Sequence, residues 1–338
     1  MPAKRSSLAL VAARAGVSVA SVSRVLNGGS ASEELTRKVR EAADALGYVP
    51  DASARTLRTG RTDQIALAVA DVGNPVYVQM MRAVTGVVAK ADYRLVVSST
   101  GSDPGDQIDL LRSLNRGYAD GLILSPLRIT AELVDAMRSS RLPIAVIGSL
   151  PDDVALDNVR ADSATGIGLA VEHLVACGRR RIALVNGPVD TVPGSSRLAG
   201  YLAAADRFDL HVKPELQVTA TGFTYRAGRK AAAELLARST PDAIVCANDL
   251  LAVAALKELA AAGARVPDDV AVVGMDDTDA AELATPSITS VDLGSAKRAA
   301  AAAKLLVRRI ADPDTPVRRL VIPPSLSLRE STPQETAR

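Results

Sequence analysis

Residues 8–27 read LALVAARAGVSVASVSRVLN, and they constrain the chain more than any other stretch. Ala12 is small where two helices must pack closely, and Gly16 falls where the chain must turn between them. Val17, Val22 and Val25 recur where the second helix needs apolar contacts to the first. The spacing predicts short helices near 8–14 and 19–26, a helix-turn-helix whose second helix can enter a major groove. At 338 residues the chain is far longer than such a unit needs, so a larger body is expected after it.

Composition sets the class of that body. Hydrophobic residues make up 48% and charged residues 23%, which suits sizeable cores in a soluble globular protein. No apolar run approaches a membrane span, and the basic start MPAKRSS is not followed by a signal-peptide core, so a cytoplasmic location is expected. Cys177 and Cys246 lie far apart, with no second Cys or His at metal-ligand spacing, and read as buried structural thiols. Charge is uneven. Residues 1–60 hold nine basic and five acidic residues, a net +4, against 31 basic and 33 acidic over the rest. A basic head on a slightly acidic body suits phosphate contact by the head alone.

A third helix is expected near 33–46, capped by Ser32, with Glu33 and Glu34 favoured in its first turn and Gly47 ending it. Residues 51–58 can form two turns after Pro50, a helix too short to stand without a partner. From Gln64 the pattern changes to short apolar runs alternating with amphipathic stretches. Strands are predicted at 65–70, 95–98, 121–124, 144–147, 182–185, 216–219, 243–246, 270–273 and 287–291. Helices are predicted at 76–89, 107–114, 164–176, 197–205, 226–237, 250–262 and 295–310. That alternation predicts parallel sheets flanked by helices, and nine strands exceed one comfortable sheet, so two α/β lobes are expected. The tail 331–338 reads as polar and frayed.

Several stretches together resemble the lactose-repressor (LacI/GalR) family of bacterial transcription regulators. They are AxxAGVSxxSVSRVLN at 12–27, VREAADALGYVPDASARTL at 39–57, DVGNPVY at 71–77, ADGLILSP at 119–126, HLVACGRRRIALVNGP at 173–188, ANDLLAVAAL at 247–256 and VPDDVAVVGMDDT at 266–278. The resemblance implies an N-terminal helix-turn-helix domain at 1–50 and a hinge helix with linker at 51–61. A two-lobed body like the periplasmic binding proteins would then span 62–330. Its N-lobe would be 62–161 with 292–317, and its C-lobe 162–291 with 318–330. It also implies a homodimer on a near-palindromic operator, whose affinity is set by a small molecule between the lobes. No cofactor or metal is implied. Leu10 and Asp51 depart from the family's usual Asp and Asn at those positions.

On the DNA side, Val19, Ala20 and Arg24 match base-reading positions of the family. Arg24 can bond a guanine edge bidentately, while Val19 and Ala20 can touch a thymine methyl. The alternatives are a phosphate or surface arginine and neutral surface. Ser18 is expected to cap the recognition helix, and Ser21 and Ser23 to donate to phosphates. Asn27 matches a backbone-contact position or is a plain C-terminal turn residue. Leu57 matches the hinge leucine that wedges into the minor groove, with Ala54 the small residue that lets two hinge helices approach. The plain alternative for Leu57 is a linker residue.

On the effector side, Arg197 matches the pocket arginine, whose planar fork can hold two hydroxyls or a carboxylate. Asp276 matches an aspartate that accepts sugar hydroxyls, and Phe223 an aromatic that stacks on a ring. A surface ion pair, a helix cap and core packing are the respective alternatives. Asn74, Tyr77, Ser125, Asp162 and Asn248 fall at strand ends or helix starts and are further candidates, while Asp249 reads as a cap. Thr191 and Pro193 stand where purine-binding relatives carry polar contacts, so a sugar or related polyol is the expected effector. An enzyme is disfavoured: neither a GxGxxG nor a GxxxxGK[ST] loop occurs, and His173 and His211 form no triad or metal cluster in the sequence. A transport-type binding protein and an effector-independent DNA binder are the other readings.

Overall fold

The structure, a computed structural model, describes residues 7–26, 29–49, 56 and 60–333. The chain divides into two compact units, 1–62 and 63–338. The first holds α1 (Leu8–Ala15), α2 (Val19–Leu26) and α3 (Glu33–Ala45). Ser7 caps α1 by accepting from the Leu10 N–H, and Gly16 at φ +67° ends it. The 105° bend between α1 and α2 fits a helix-turn-helix. Val11, Ala12, Val22, Val25, Val39, Ala42 and Ala43 form the core of this unit. Ser32 caps α3 through the Leu35 N–H, as the sequence predicts.

The second unit runs β1 (Gln64–Val69), α4 (Pro75–Val88), β2 (Arg94–Ser99), α5 (Pro104–Leu114), β3 (Gly121–Ser125), α6 (Ala131–Arg138), β4 (Ile144–Ile147) and β5 (Asp157–Ala161). The chain then builds a second lobe from α7 (Ser163–Ala176), β6 (Ile182–Asn186), α8 (Val192–Arg207), β7 (Gln217–Thr219), α9 (Tyr225–Arg238), β8 (Ala243–Cys246), α10 (Asp249–Ala261), β9 (Ala271–Met275), α11 (Asp279–Glu282) and β10 (Thr289–Asp292). It returns through α12 (Ser295–Ala311) and β11 (Arg319–Ile322), and crosses again into β12 (Ser325–Ser327). The N-lobe sheet has the order β11-β5-β4-β3-β1-β2, and the C-lobe sheet β12-β10-β9-β8-β6-β7. All described pairings are parallel except β10 with β12. Strands covered by helices on both faces must be apolar throughout, and β1, β3, β4, β6, β8 and β9 are buried almost end to end.

Four expectations need correction. The N-lobe's returning segment reaches Ile322 rather than 317, because β11 pairs with β5. Strands β5, β11 and β12 and helices α6 and α11 stand outside the elements the sequence predicts. Helix α8 begins at Val192 rather than 197, since Thr191 caps it through the Gly194 N–H and Pro193 tolerates the first turn. The start of the tail is core. The Ser331 hydroxyl accepts from the Thr289 N–H and donates to the Val272 carbonyl, and Thr332 is buried against Thr289 and His173.

Gly200 on α8 sets the approach of α7. A Cβ there would lie 2.5 Å from the Ala164 carbonyl oxygen and 2.7 Å from its Cα. Backbone cannot rotate away, so Gly200→Ala forces the helices apart. The overpacking cost of about 1–3 kcal/mol exceeds the gain of about 1 kcal/mol in helix propensity. The expected result is a lower urea midpoint with an unchanged slope.

Candidate functional site

In the head, α2 separates two faces. Val22 and Val25 are buried, while Val19 (48% exposed), Ala20 and Arg24 face solvent. A half-exposed valine at the first position of a helix has no packing role to explain it. Ser18 caps α2 by accepting from the Ser21 N–H at 3.1 Å, and its hydroxyl lies 2.9 Å from that of Ser21. Ser21 and Ser23 are half-buried. Arg24 makes no ion pair among the described residues. The structure therefore brings Ser18, Val19, Ala20, Ser21, Ser23 and Arg24 onto one helix and its cap. Asn27, Ala54 and Leu57 lie outside the described residues.

In the body, sheet order decides where the site falls. In the N-lobe the order reverses at β1 between β3 and β2, and in the C-lobe at β6 between β8 and β7. Loops leaving adjacent strands there part to opposite faces and leave a crevice at the strand C-termini. Both crevices open on one cavity of about 420 Å³, within the usual range for small-molecule sites. Asn74, Tyr77, Ser125, Arg197, Phe223, Asn248 and Asp276 all line it. Asp162 does not. Its carboxylate caps α7, accepting from the Thr165 N–H and hydroxyl, so the candidate was a cap, and Ala161 and Ser163 face the cavity in its place.

Each polar group is fixed from outside the cavity. Asn74 caps α4 and Asn248 caps α10 through the Leu251 N–H, while the Asn248 amide donates to the Phe223 carbonyl at 2.9 Å. The cap is thus Asn248 and not Asp249. The Phe223 ring lies over Gly187, where any Cβ would stand 2.2 Å from a ring carbon. Asp276 has φ +98° and Asp277 φ +49°, a conformation that costs about 1–3 kcal/mol per residue and clusters at functional sites. It is held by Asp276 N–H to Val291 C=O at 2.8 Å and Asp277 N–H to the Ser290 hydroxyl at 3.1 Å.

Charge is concentrated here. Arg197, Asp276 and Arg298 are 6%, 5% and 7% exposed. Burial lowers the pKa of both guanidiniums, and Asp276 pulls each back up. Burial raises Asp276, while Arg197 and then Arg298 pull it down. Tyr77 is pushed up to about 12, by burial first and Asp276 second, so it stays a neutral donor. Arg197 Nη2 stands 3.6 Å from Asp276 Oδ1, too far for a good hydrogen bond, and its guanidinium lies 5.6 Å from the Phe223 ring centre.

Arg298 and Arg128 were missed in the sequence. Arg298 carries a readable signal, since Ser295, Arg298, Ala299, Ala302 and Leu306 share the buried face of α12. A lone arginine on an apolar face must have a polar destination. Arg128 gives no such signal. It forks onto the Asp190 carboxylate of the other lobe at 2.8 and 3.0 Å, beside a Val192 N–H to Leu127 C=O bond. Gln79 donates to the Asp277 carbonyl at 2.8 Å between the same lobes. The lobes are thus bridged at two places around the cavity. Cys177, expected to be buried and away from any histidine, is neither. It is half-buried, and one helical turn brings its Sγ to 3.7 Å from His173 Nε2, which also lies 2.9 Å from the Thr332 hydroxyl. No group of three metal-binding side chains occurs among the described residues, and no single helix there is long and apolar enough to cross a membrane.

A helix-turn-helix unit joined in sequence to a two-lobed body with an interlobe cavity defines the class of ligand-responsive DNA-binding regulators. The model of the bacterial regulatory proteins of the lacI family matches residues 7–51, and that of the periplasmic binding protein-like domain matches 171–332. The chain is 38% identical to the HTH-type transcriptional regulator CelR of Thermobifida fusca, over 97% of this chain and 98% of that one. It is 33% identical to the ribose operon repressor of Escherichia coli K12, over 95% and 98%. Among solved structures, the CelR–cellobiose complex is similar at TM-score 0.74 with 34% identity, covering 97% and 100%. A Lac repressor dimer bound to operator and the anti-inducer ONPF gives 0.85 with 25% identity, covering 97% and 99%. The chain belongs to the LacI family of transcriptional regulators.

Behind the cavity, Asp249 is held by the Thr278 N–H and hydroxyl and by the Ser290 hydroxyl, in space left by Gly274. Burial, then Asp276, pushes it up to about 7. An unfolded aspartate titrates near about 3.9. The stability this group confers is full below that value and is lost as pH rises through about 7. Asp249→Asn can keep the same partners, donating to Ser290. Its melting temperature is expected to vary less between pH 5 and 8 than the wild type's, in about that window.

Proposed function

We propose that the chain is a transcriptional repressor that binds a near-palindromic operator as a homodimer and is modulated by a sugar or related polyol held between its lobes. The observation that carries this reading is the buried Arg197 guanidinium, which lines the cavity and makes no hydrogen bond among the described residues. Buried polar donors are normally satisfied, and vicinal hydroxyls of a sugar match the guanidinium fork. Asp276, Asn74, Ser125 and Asn248 supply the acceptors and donors that fix orientation, and Phe223 offers a face for a sugar ring. The bound ligands named for relatives, cellobiose and ribose, belong to this class.

In the head, Arg24 reads a guanine edge while Val19 and Ala20 meet thymine methyls. Ser18, Ser21, Ser23 and Asn27 position the helix on phosphates. The hinge segment, with Leu57 as a minor-groove wedge and Ala54 at the helix pair, orders on the operator and links the two functions. Ligand between the lobes shifts their relative closure and so the hinge equilibrium. Coupling of about 1–3 kcal/mol changes operator affinity about 5- to 150-fold.

Fluorescence anisotropy on operator DNA, with and without a sugar panel, tests the reading. Arg197→Ala is expected to keep operator affinity and lose the response to sugar; a retained response removes Arg197 from the pocket. Leu57→Ala is expected to weaken specific binding more than non-specific binding. Unchanged discrimination between operator and random duplex would eliminate the wedge.

A further inference from the structure

The proposed sugar effector leaves one feature of the cavity unexplained. Two buried guanidiniums, Arg197 and Arg298, face it against one buried carboxylate, Asp276. The third arginine at the cavity, Arg128, is already forked onto Asp190. Asp71, the other acid at the wall, is exposed and turned to its own loop by the Gly73 N–H. Asp249 and Asp292 do not line the cavity: Asp249 is occupied by Thr278 and Ser290, while Asp292, whose charge also acts on Arg298, is only half-buried and accepts from the Gly294 N–H.

The donors match the charge count. Arg298 uses Nε on the Leu293 carbonyl at 3.0 Å and Nη2 on the Ser295 hydroxyl at 3.0 Å, which locks the guanidinium plane. Its Nη1 makes no hydrogen bond among the described residues. Arg197 has no hydrogen bond there at all, and its Nε is fully enclosed. Neutral hydroxyls can satisfy these N–H groups but leave two buried guanidiniums facing one carboxylate across the cavity, an excess of positive charge that is costly in a low-dielectric site. A carboxylate satisfies the donors and the charge together, with the charge-assisted geometry that arginine favours.

We propose that the effector is an acidic sugar, an aldonic or uronic acid, whose carboxylate is held by Arg298 and Arg197 while Asp276 takes hydroxyls of the same molecule. This rests on the carbohydrate reading above and narrows it. Arg298 is then the residue that separates acids from neutral sugars. Its rigid tie to Leu293 and Ser295 makes that selection a property of the α12 start rather than of a mobile side chain.

Isothermal titration of the full-length protein in buffer free of phosphate and sulfate tests this with two matched pairs: D-glucose with D-glucuronate, and cellobiose with cellobionate. In at least one pair the acid is expected to bind about ten- to a hundredfold tighter than its neutral partner. Arg298→Met should abolish that preference, and Arg298→Lys, which keeps the charge, should retain part of it. Thermal melts check that each variant folds, and the wild-type pairs decide the matter even where Met does not. A neutral sugar binding as tightly as its acid, or more tightly, overturns the acid assignment and leaves the carbohydrate effector standing. Binding of no member of either pair removes both.

Discussion

Burying charge between two lobes is the constraint on which the body depends. Arg197, Asp276 and Arg298 are each almost out of water, and none can be left alone there without a penalty of several kcal/mol. They come from separate elements, α8, the turn after β9, and the start of α12. Arg197 and Asp276 belong to the C-lobe and Arg298 to the N-lobe, so the chain must cross between the lobes to bring them together. The crossing near 293 does this. The sheets supply the rest, because each reverses its strand order opposite the other and leaves a crevice facing it.

Local strain follows from the same demand. Asp276 and Asp277 occupy positive φ so that one carboxylate meets the cavity while the other partners Arg329 and the Ser327 hydroxyl. Gly187 and Gly274 are bare where Phe223 and Asp249 must approach the backbone. None of these choices improves packing on its own. Each places a polar or aromatic group at the cavity wall, as with Asp276 and Phe223, or directly behind it, as with Asp249 and Asp277, and fixes it there, which is how a site is kept rigid. The bridges at Arg128–Asp190 and Gln79–Asp277 are different. The first is partly exposed and worth little by itself.

The sequence carried the architecture well because the buried parallel strands are continuous apolar runs. Strands β1, β3, β4, β6, β8 and β9 were legible for that reason. β5 was not, since it reads DNVRA and its Asp157 is buried only by pairing with Arg309 and the Arg318 N–H. β11 and β12 are short and half-exposed, with no run to detect. The site divides the same way. Arg197, Phe223 and Asp276 came from the family resemblance, and the cavity contains them. Asp162 failed because a helix cap and a pocket acid occupy the same place in a strand-to-helix turn, and one sequence does not say which way the carboxylate turns.

Arg298 shows where local pattern reading reaches further than motif matching. Nothing in its neighbourhood, SAKRAAAAAKLL, resembles a binding motif. Helical periodicity nevertheless puts it among Ser295, Ala299 and Ala302 on the face that must be buried. Small neighbours leave room for the side chain to lie flat, and a serine hydroxyl and the buried Leu293 carbonyl at the helix start tie down two of its three nitrogens. The remaining donor is then directed by geometry rather than by chance. A side chain that is costly to bury, anchored on one side and unsatisfied on the other, is a selector for whatever can complete it.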